Sequence, residues 1–597
     1  MLNGRLYRVA FVPFLLVLAV AAFSLGPRPL PLTSTLAPDA FQGAPAFSEL
    51  QSLAARFPDR RPGSSGDERL AAQIASTLKG LGGAAGGGFS VRTEHFSGQT
   101  IDGERQLTNV IAERPGSTSA TPLLVLAHRD SAVGGSEAEL SGTAALLELA
   151  RVFAARETKR TIVLVSTSGG SGGDAGAASL AGQLHGPFDA ALVLGDLAGA
   201  ETRSPSVVPF SDGQGSAPLE LQRTVSDAIT DETGVDPGAP STLGQLAHLA
   251  FPLALGEQGV LNASGVPAVL VQVSGERGPS AHDRVSEARL ESYGRAVLDA
   301  LDALDGAPDV SPAKQTGVLL ARQAMPAWAL RLLALALLFP PLITIADGFA
   351  RLRRRRMPIR RWLVWTLTCA LPFLSCALLA YLLGWLGVLG AAPAIPAPPR
   401  ALPIDARAAT SIVAVALTFA LAWLLWGALV RRLGWGTRPE PEVAGLSMMI
   451  VLAALALLVW AVNPLAALLL LPALHLWLLL AAPELRPRRI GALALLAGAL
   501  LPFVLLVAFY AHQLGMGPGS LAWTAMQLLA GGHVGLGASA LWSLAFGCAA
   551  AAALLALRAP QVPHGPRAAD GVEVTIRGPM SYAGPGSLGG TESALRR

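Results

Sequence analysis

"PLLVLAHRDSAVGGSEAELSGTAALLELAR", Pro122 to Arg151, decides the fold. It opens on a nearly unbroken apolar run, short enough for a strand buried on both faces. Polar and glycine residues follow, then apolar positions at helical spacing. Strand, loop and helix make half of a βαβ unit. The same alternation recurs on either side. "LTNVIAE", "TIVLVSTS", "AALVLGD" and "PAVLVQV" read as further strands, and "DERLAAQIASTLKGL", "GTAALLELARVFAAR" and "EARLESYGRAVLDALDAL" as amphipathic helices. Buried strands covered by intervening helices predict an α/β domain with a doubly wound, mostly parallel sheet over residues 35–315.

The rest of the chain is of another kind. With 52% hydrophobic and 14% charged residues in 597, part of the protein must lie in lipid. Residues 1–30 carry "LYRVAFVPFLLVLAVAAFSLG", a transmembrane anchor in preference to a cleaved signal peptide. Residues 325–558 hold seven further apolar spans, near 327–347, 362–390, 410–430, 446–462, 465–483, 490–511 and 535–557, an all-α bundle. "LAWTAMQLLAGG" is too short to cross and suits the interface. Residues 559–597, rich in Pro, Gly and Ser, predict a disordered cytoplasmic tail. Arg-rich loops such as "RLRRRRMPIRR" alternate with uncharged or Pro-rich ones, which predicts cytoplasmic termini and an extracytoplasmic α/β domain in a bacterial cell membrane. Those basic clusters adjoin apolar runs, so they anchor topology beside membrane lipids and argue against a nucleic-acid partner. All three cysteines fall in apolar runs, so no disulfide framework is expected. His475, alone in "LPALHLWLLL", reads as polar glue between helices before it reads as a proton relay.

In open α/β sheets, ligands bind where the carboxyl ends of strands converge. His128 and Asp130 follow one predicted strand, Ser171 another, and Asp196 ends a third; His282 lies in the loop after a fourth. Imidazole and carboxylate from separate strands are what a zinc site with an open position requires, although Asp196 could equally close a turn. This order of residues resembles the co-catalytic zinc aminopeptidases of metallopeptidase family twenty-eight across most of residues 45–305. The family's H-x-D-S appears as "HRDS", its acidic run before a helix as "GSEAELSG", its strand-end Asp as "LGD" and its final His as "AHD". The plan of anchor, exported domain and multi-span bundle is similar to the endoplasmic reticulum metallopeptidases. The resemblance implies His128, Glu137, Asp196 and His282 as metal ligands, with Asp130 orienting His128.

One motif departs. Where the family has E-E-x-G-x-x-G this chain has "GSGGDAG", which puts Gly170 at the general-base position and Ser171 at a ligand position. Both carboxylates are missing, so zinc is expected as one ion at most, or none. Asp174 reads as a helix N-cap, with a base role as the alternative, and Glu257 is a second candidate acid. Glu139 and Asp283 read as polar rim. Three functional readings follow. The first is a degenerate peptidase domain binding extracytoplasmic peptide or protein partners. The second is an active zinc aminopeptidase or exopeptidase with an unusual site. The third is a transporter with the domain as receptor.

Overall fold

Side chains along a strand alternate between faces, and the strand that begins at Leu123 is buried on both. Leu123, Val125 and Ala127 join the larger core, Leu124 and Leu126 the smaller one behind the sheet. The computed structural model describes residues 4–81, 88–134, 136–183, 186–280, 282–308, 316–320, 323–434, 441–481 and 489–558; the expected tail, 559–597, lies outside them. Its strands are β1 (Gly26–Pro27), β2 (Ser90–Thr100), β3 (Gly103–Arg114), β4 (Leu123–His128), β5 (Ile162–Thr167), β6 (Ala190–Leu194), β7 (Val207–Val208), β8 (Ala268–Val271), β9 (Thr316–Leu319) and β10 (Gln323–Pro326).

The main sheet runs β2-β3-β5-β4-β6-β8-β7. Its centre, β5-β4-β6-β8, is parallel as expected. Both edges are antiparallel. At one edge the reason is local: only Ile101 and Asp102 separate β2 from β3, and a two-residue link can join antiparallel strands only. Helices Gly43–Arg56, Ser65–Gly80, Glu137–Ala154, Leu219–Thr233 and Glu287–Gly306 cover the larger core. Ala175–Gln183 and Gln258–Ala263 cover the other face. Because β4, β5 and β6 run the same way, their carboxyl ends at His128, Thr167 and Leu194 share one edge.

The chain is also a membrane-type protein by its helices. Among the described residues, seven are long and apolar enough to cross a bilayer: Gly4–Phe23, Ala327–Arg354, Ile359–Trp385, Ala406–Arg432, Glu442–Val462, Ile490–Gln513 and Leu536–Leu557. The expected span at 465–483 is instead the shorter apolar stretch Ala466–Leu480. At 1.5 Å per residue it rises roughly 22 Å, less than a ~30 Å hydrocarbon core. It still makes the return journey. Gln214 donates to the Val462 carbonyl (2.6 Å) and Tyr510 to that of Phe251 (2.7 Å), so two successive spans both end against the α/β domain.

Two devices fasten domain to bundle. A small antiparallel sheet, β1-β10-β9, joins the exit of the first helix to the entry of Ala327–Arg354; strands this short carry no sequence pattern. The helix Thr242–Ala250 and the loop after it lie on the bundle, with Ala247 and Leu253 packed among Leu506, Tyr510 and Leu514. His475 acts as glue: Nδ1 meets the Tyr7 hydroxyl at 2.6 Å and Nε2 the Leu337 carbonyl at 3.0 Å, joining three helices.

Candidate functional site

The end of β4 is held by a charge that faces the core. Arg129 is fully buried and pairs with buried Asp67 at 2.8 Å. It also donates to the carbonyls of Ser166 (3.2 Å) and Thr108 (2.7 Å), clamping β4 to its neighbours. Alternation then turns His128 and Asp130 the opposite way, toward the sheet edge.

Asp130 does not orient His128, as the resemblance implied. One carboxylate oxygen accepts from the backbone N–H of Gly169 (2.8 Å) and Gly170 (3.0 Å); the other accepts from the Ser171 N–H (3.0 Å) and hydroxyl. The loop after β5 is therefore folded around Asp130, with four donors spent on it and no hydrogen bond to the imidazole among the described residues. Ser171, at a family ligand position, is buried and donates inward.

Gly170 stands where the family's base would. A Cβ there would lie 2.4 Å from the His128 Cβ and 3.0 Å from the Glu257 carboxyl carbon. The space for a side chain is already taken by those two residues. Glu257 is buried, accepts from the Thr167 hydroxyl and leaves Oε2 without a partner. Burial pushes its pKa up to about 7, against the opposing pull of His128.

Asp174 is not an N-cap. Its φ of +40° takes the backbone out of the extended conformation that capping needs, and neither carboxylate oxygen finds a partner. Fully buried, it is held well above the usual carboxylate range by desolvation, reinforced by Glu257, Asp212 and Asp130.

The four implied metal ligands are not brought together. His128 is half-buried at the end of β4, but Glu137 and His282 are exposed. Asp196 is buried and closes a turn, one oxygen accepting from the N–H of Ala198 (3.1 Å) and Gly199 (2.7 Å); desolvation raises its pKa to about 6. Among the described residues no group of three or more His, Cys, Asp or Glu side chains is placed to hold a metal. Glu139, expected at the rim, is the helix residue that enters the site, 4% exposed and bonded to Ser131. Residues two apart on a helix point about 200° apart, so Glu137 and Glu139 cannot both face inward.

What faces Glu139 comes from the membrane bundle. The Pro-rich loop between two spans crosses the site, and the Arg400 guanidinium reaches Glu139 at 3.3 Å. Burial lowers the pKa of Arg400, while Glu139, Asp196 and Asp283 raise it, so all three carboxylates lie within its field. The strap seats on the glycine-rich loop after β5. A Cβ on Gly172 would be 3.1 Å from that of Ala397, and one on Gly173 2.9 Å from that of Pro393. Ala397, Ala401 and Leu402 pack with Ile101 and Ala132 beneath. Arg60, fully buried, lies in the same carboxylate field of Glu139, Asp130 and Asp67. Three guanidiniums, of Arg129, Arg60 and Arg400, thus lie in the field of buried carboxylates. A pair of zinc ions does not fit this donor set, because among the described residues the ligands are not brought together.

Residues 109–241 match the model of a family described as Peptidase family M28. That stretch of the chain is similar to the M28 peptidases. Solved structures similar to it include a glutaminyl cyclase from an Acidobacteriales bacterium, 17% identical, covering 44% of this chain and 95% of that one with a TM-score of 0.34. BSAP, a zinc aminopeptidase from Bacillus subtilis, is 13% identical, covering 47% and 98% with a TM-score of 0.35. The Legionella pneumophila LapA aminopeptidase is 13% identical, covering 45% and 74% with a TM-score of 0.34. A separate comparison with curated proteins found no match.

Sequence reasoning missed Asp67, Arg129, Arg60 and Arg400. Arg129 sits inside the quoted "HRDS", and its place between two outward residues on one strand was a usable signal for an inward charge. Arg400 carries no local signal, since it reaches the site from the far half of the chain.

Proposed function

We propose that this is a polytopic membrane protein whose M28-type domain faces the extracytoplasmic side and holds peptide without hydrolysing it. Both termini are cytoplasmic, as the Arg-rich loops require. The peptide held in cis is the chain's own Pro-rich strap; external peptides or proteins compete for the same surface. The observation that carries this reading is Arg400 at 3.3 Å from Glu139, with the strap packed on Gly172 and Gly173. A guanidinium, always charged, supplies there the positive charge a metal would otherwise bring.

The test is metal content and turnover of the purified full chain. Expected are well under one zinc per chain after dialysis and no chelator-sensitive release of amino acids from amides. Two tightly held metals, or turnover on the order of 1–1,000 per second that is lost in His128→Ala, would overturn the reading. One observation favours the alternative of a working hydrolase. Glu257, raised to about 7 beside His128, has a free carboxylate oxygen suited to accepting a proton. Under that alternative Glu257→Gln abolishes turnover; under ours there is none to abolish.

A further inference from the structure

Away from the strap, domain and bundle together line an open cavity of about 280 Å³. That is near the lower end of small-molecule site volumes, ~300–1,000 Å³. Its polar end is built from Asp212 of the domain, Asn463 and His533. Its deep end, lined by Leu455, Trp542 and Ala545, is apolar. Leu455 lies seven residues, roughly 10 Å along the helix, from the Val462 end that meets the domain. The cavity therefore runs from the domain down between two spans.

The polar end lacks donors. Asn463 spends its amide on the carbonyls of Leu249 (2.9 Å) and Ala250 (3.4 Å), and His533 bonds the Pro252 carbonyl (3.1 Å). Asp212 accepts one hydrogen bond, from the Ala254 N–H at 3.0 Å, and its second oxygen has no partner. Asp174 and Glu257, whose free oxygens also lack donors, belong to the same carboxyl group of neighbours. Unpartnered buried acceptors of this kind call for a missing donor.

We infer that this cavity binds a single-chain amphiphile with an ammonium head, its hydrocarbon between the spans and its head on Asp212. An ammonium offers three donors and one positive charge to a carboxyl group whose second oxygen has no partner. The apolar walls exclude water from the chain and favour its burial in proportion to its area. The inference is independent of whether the M28-type centre hydrolyses anything.

The test uses the full chain in detergent-free nanodiscs, with dodecylamine, dodecanol and dodecyl sulfate as probes. Dodecylamine is expected to bind about tenfold or more tightly than dodecanol, as a charge-assisted hydrogen bond provides, and dodecyl sulfate to bind least. Asp212→Asn should erase the difference between amine and alcohol while leaving dodecanol binding. Ala538→Phe, at an exposed position on the cavity wall, should abolish both. A photoreactive amine analogue should label residues in 455–470 or 533–545. Equal binding of amine and alcohol in the wild type would overturn the ammonium assignment, and amine binding unaffected by Ala538→Phe would overturn the site.

Discussion

Replacing Gly170 with alanine tests whether the chain has room for a side chain at that position. The new Cβ would stand 2.4 Å from the His128 Cβ, 2.8 Å from its Cγ and 3.0 Å from the Glu257 carboxyl carbon. Two of these atoms sit at the root of a side chain fixed to the end of β4, so they cannot swing away. Overpacking a tight site costs about 1–3 kcal/mol, and the upper end applies because β4 is clamped by Arg129. At ~2–4 °C per kcal/mol for a domain of this size, the apparent Tm should fall by roughly 6–12 °C. The control is Gly182→Ala, on a helix with nothing within 4 Å of the new Cβ. There better helix propensity should leave stability unchanged or raise it by up to ~1 kcal/mol. The assay is thermal unfolding of the full chain in nanodiscs, followed by tryptophan fluorescence. A Gly170→Ala protein as stable as wild type would refute the reasoning, because the base position would then be open. Regained amide hydrolysis in Gly170→Glu with Ser171→Glu would refute it again. We expect that pair to be destabilised and inactive.

Arg129→Met should destabilise the domain by about 3–5 kcal/mol, because it strands the buried Asp67 carboxylate; chemical denaturation of the full chain measures it. Asp212 has its pKa raised by desolvation from 3.8 to about 7, so the folded state holds that proton longer than the unfolded chain. Its contribution is present below pH 3.8 and is lost as pH rises to about 7, a fall of at most about 4 kcal/mol at 1.36 kcal/mol per pKa unit. Asp212→Asn should flatten that part of the stability curve measured across the same pH range. For orientation, a cysteine at exposed Thr202 should react with an impermeant thiol reagent on intact cells, whereas one at exposed Arg354 should react only after lysis. Labelling at Arg354 from outside, with Thr202 protected until lysis, would reverse the topology.

The sequence by itself determined the elements of this protein and the order in which they follow. Apolar runs such as Leu123–His128 are strands because a short buried segment between glycine-rich loops has no other stable form, and the spans are helices because lipid satisfies no backbone polar group. It also shows glycine and serine at Gly170 and Ser171, where the resemblance would put two carboxylates. Side-chain direction and long-range pairing were not legible there. Two glutamates lie two residues apart, and only the helix starting at Glu137 decides that Glu139 turns inward. Asp130 has the residue type of an orienting carboxylate, yet three backbone N–H groups of the following loop claim it first. Asp174 looks like a cap until its backbone adopts a positive φ. Arg400 sits in a loop between membrane spans, and nothing within several residues of it points to Glu139. That ion pair depends on where the bundle places the strap over the sheet edge. Its partner was fixed by packing between two halves of the chain, a distance over which local propensity and periodicity have no say.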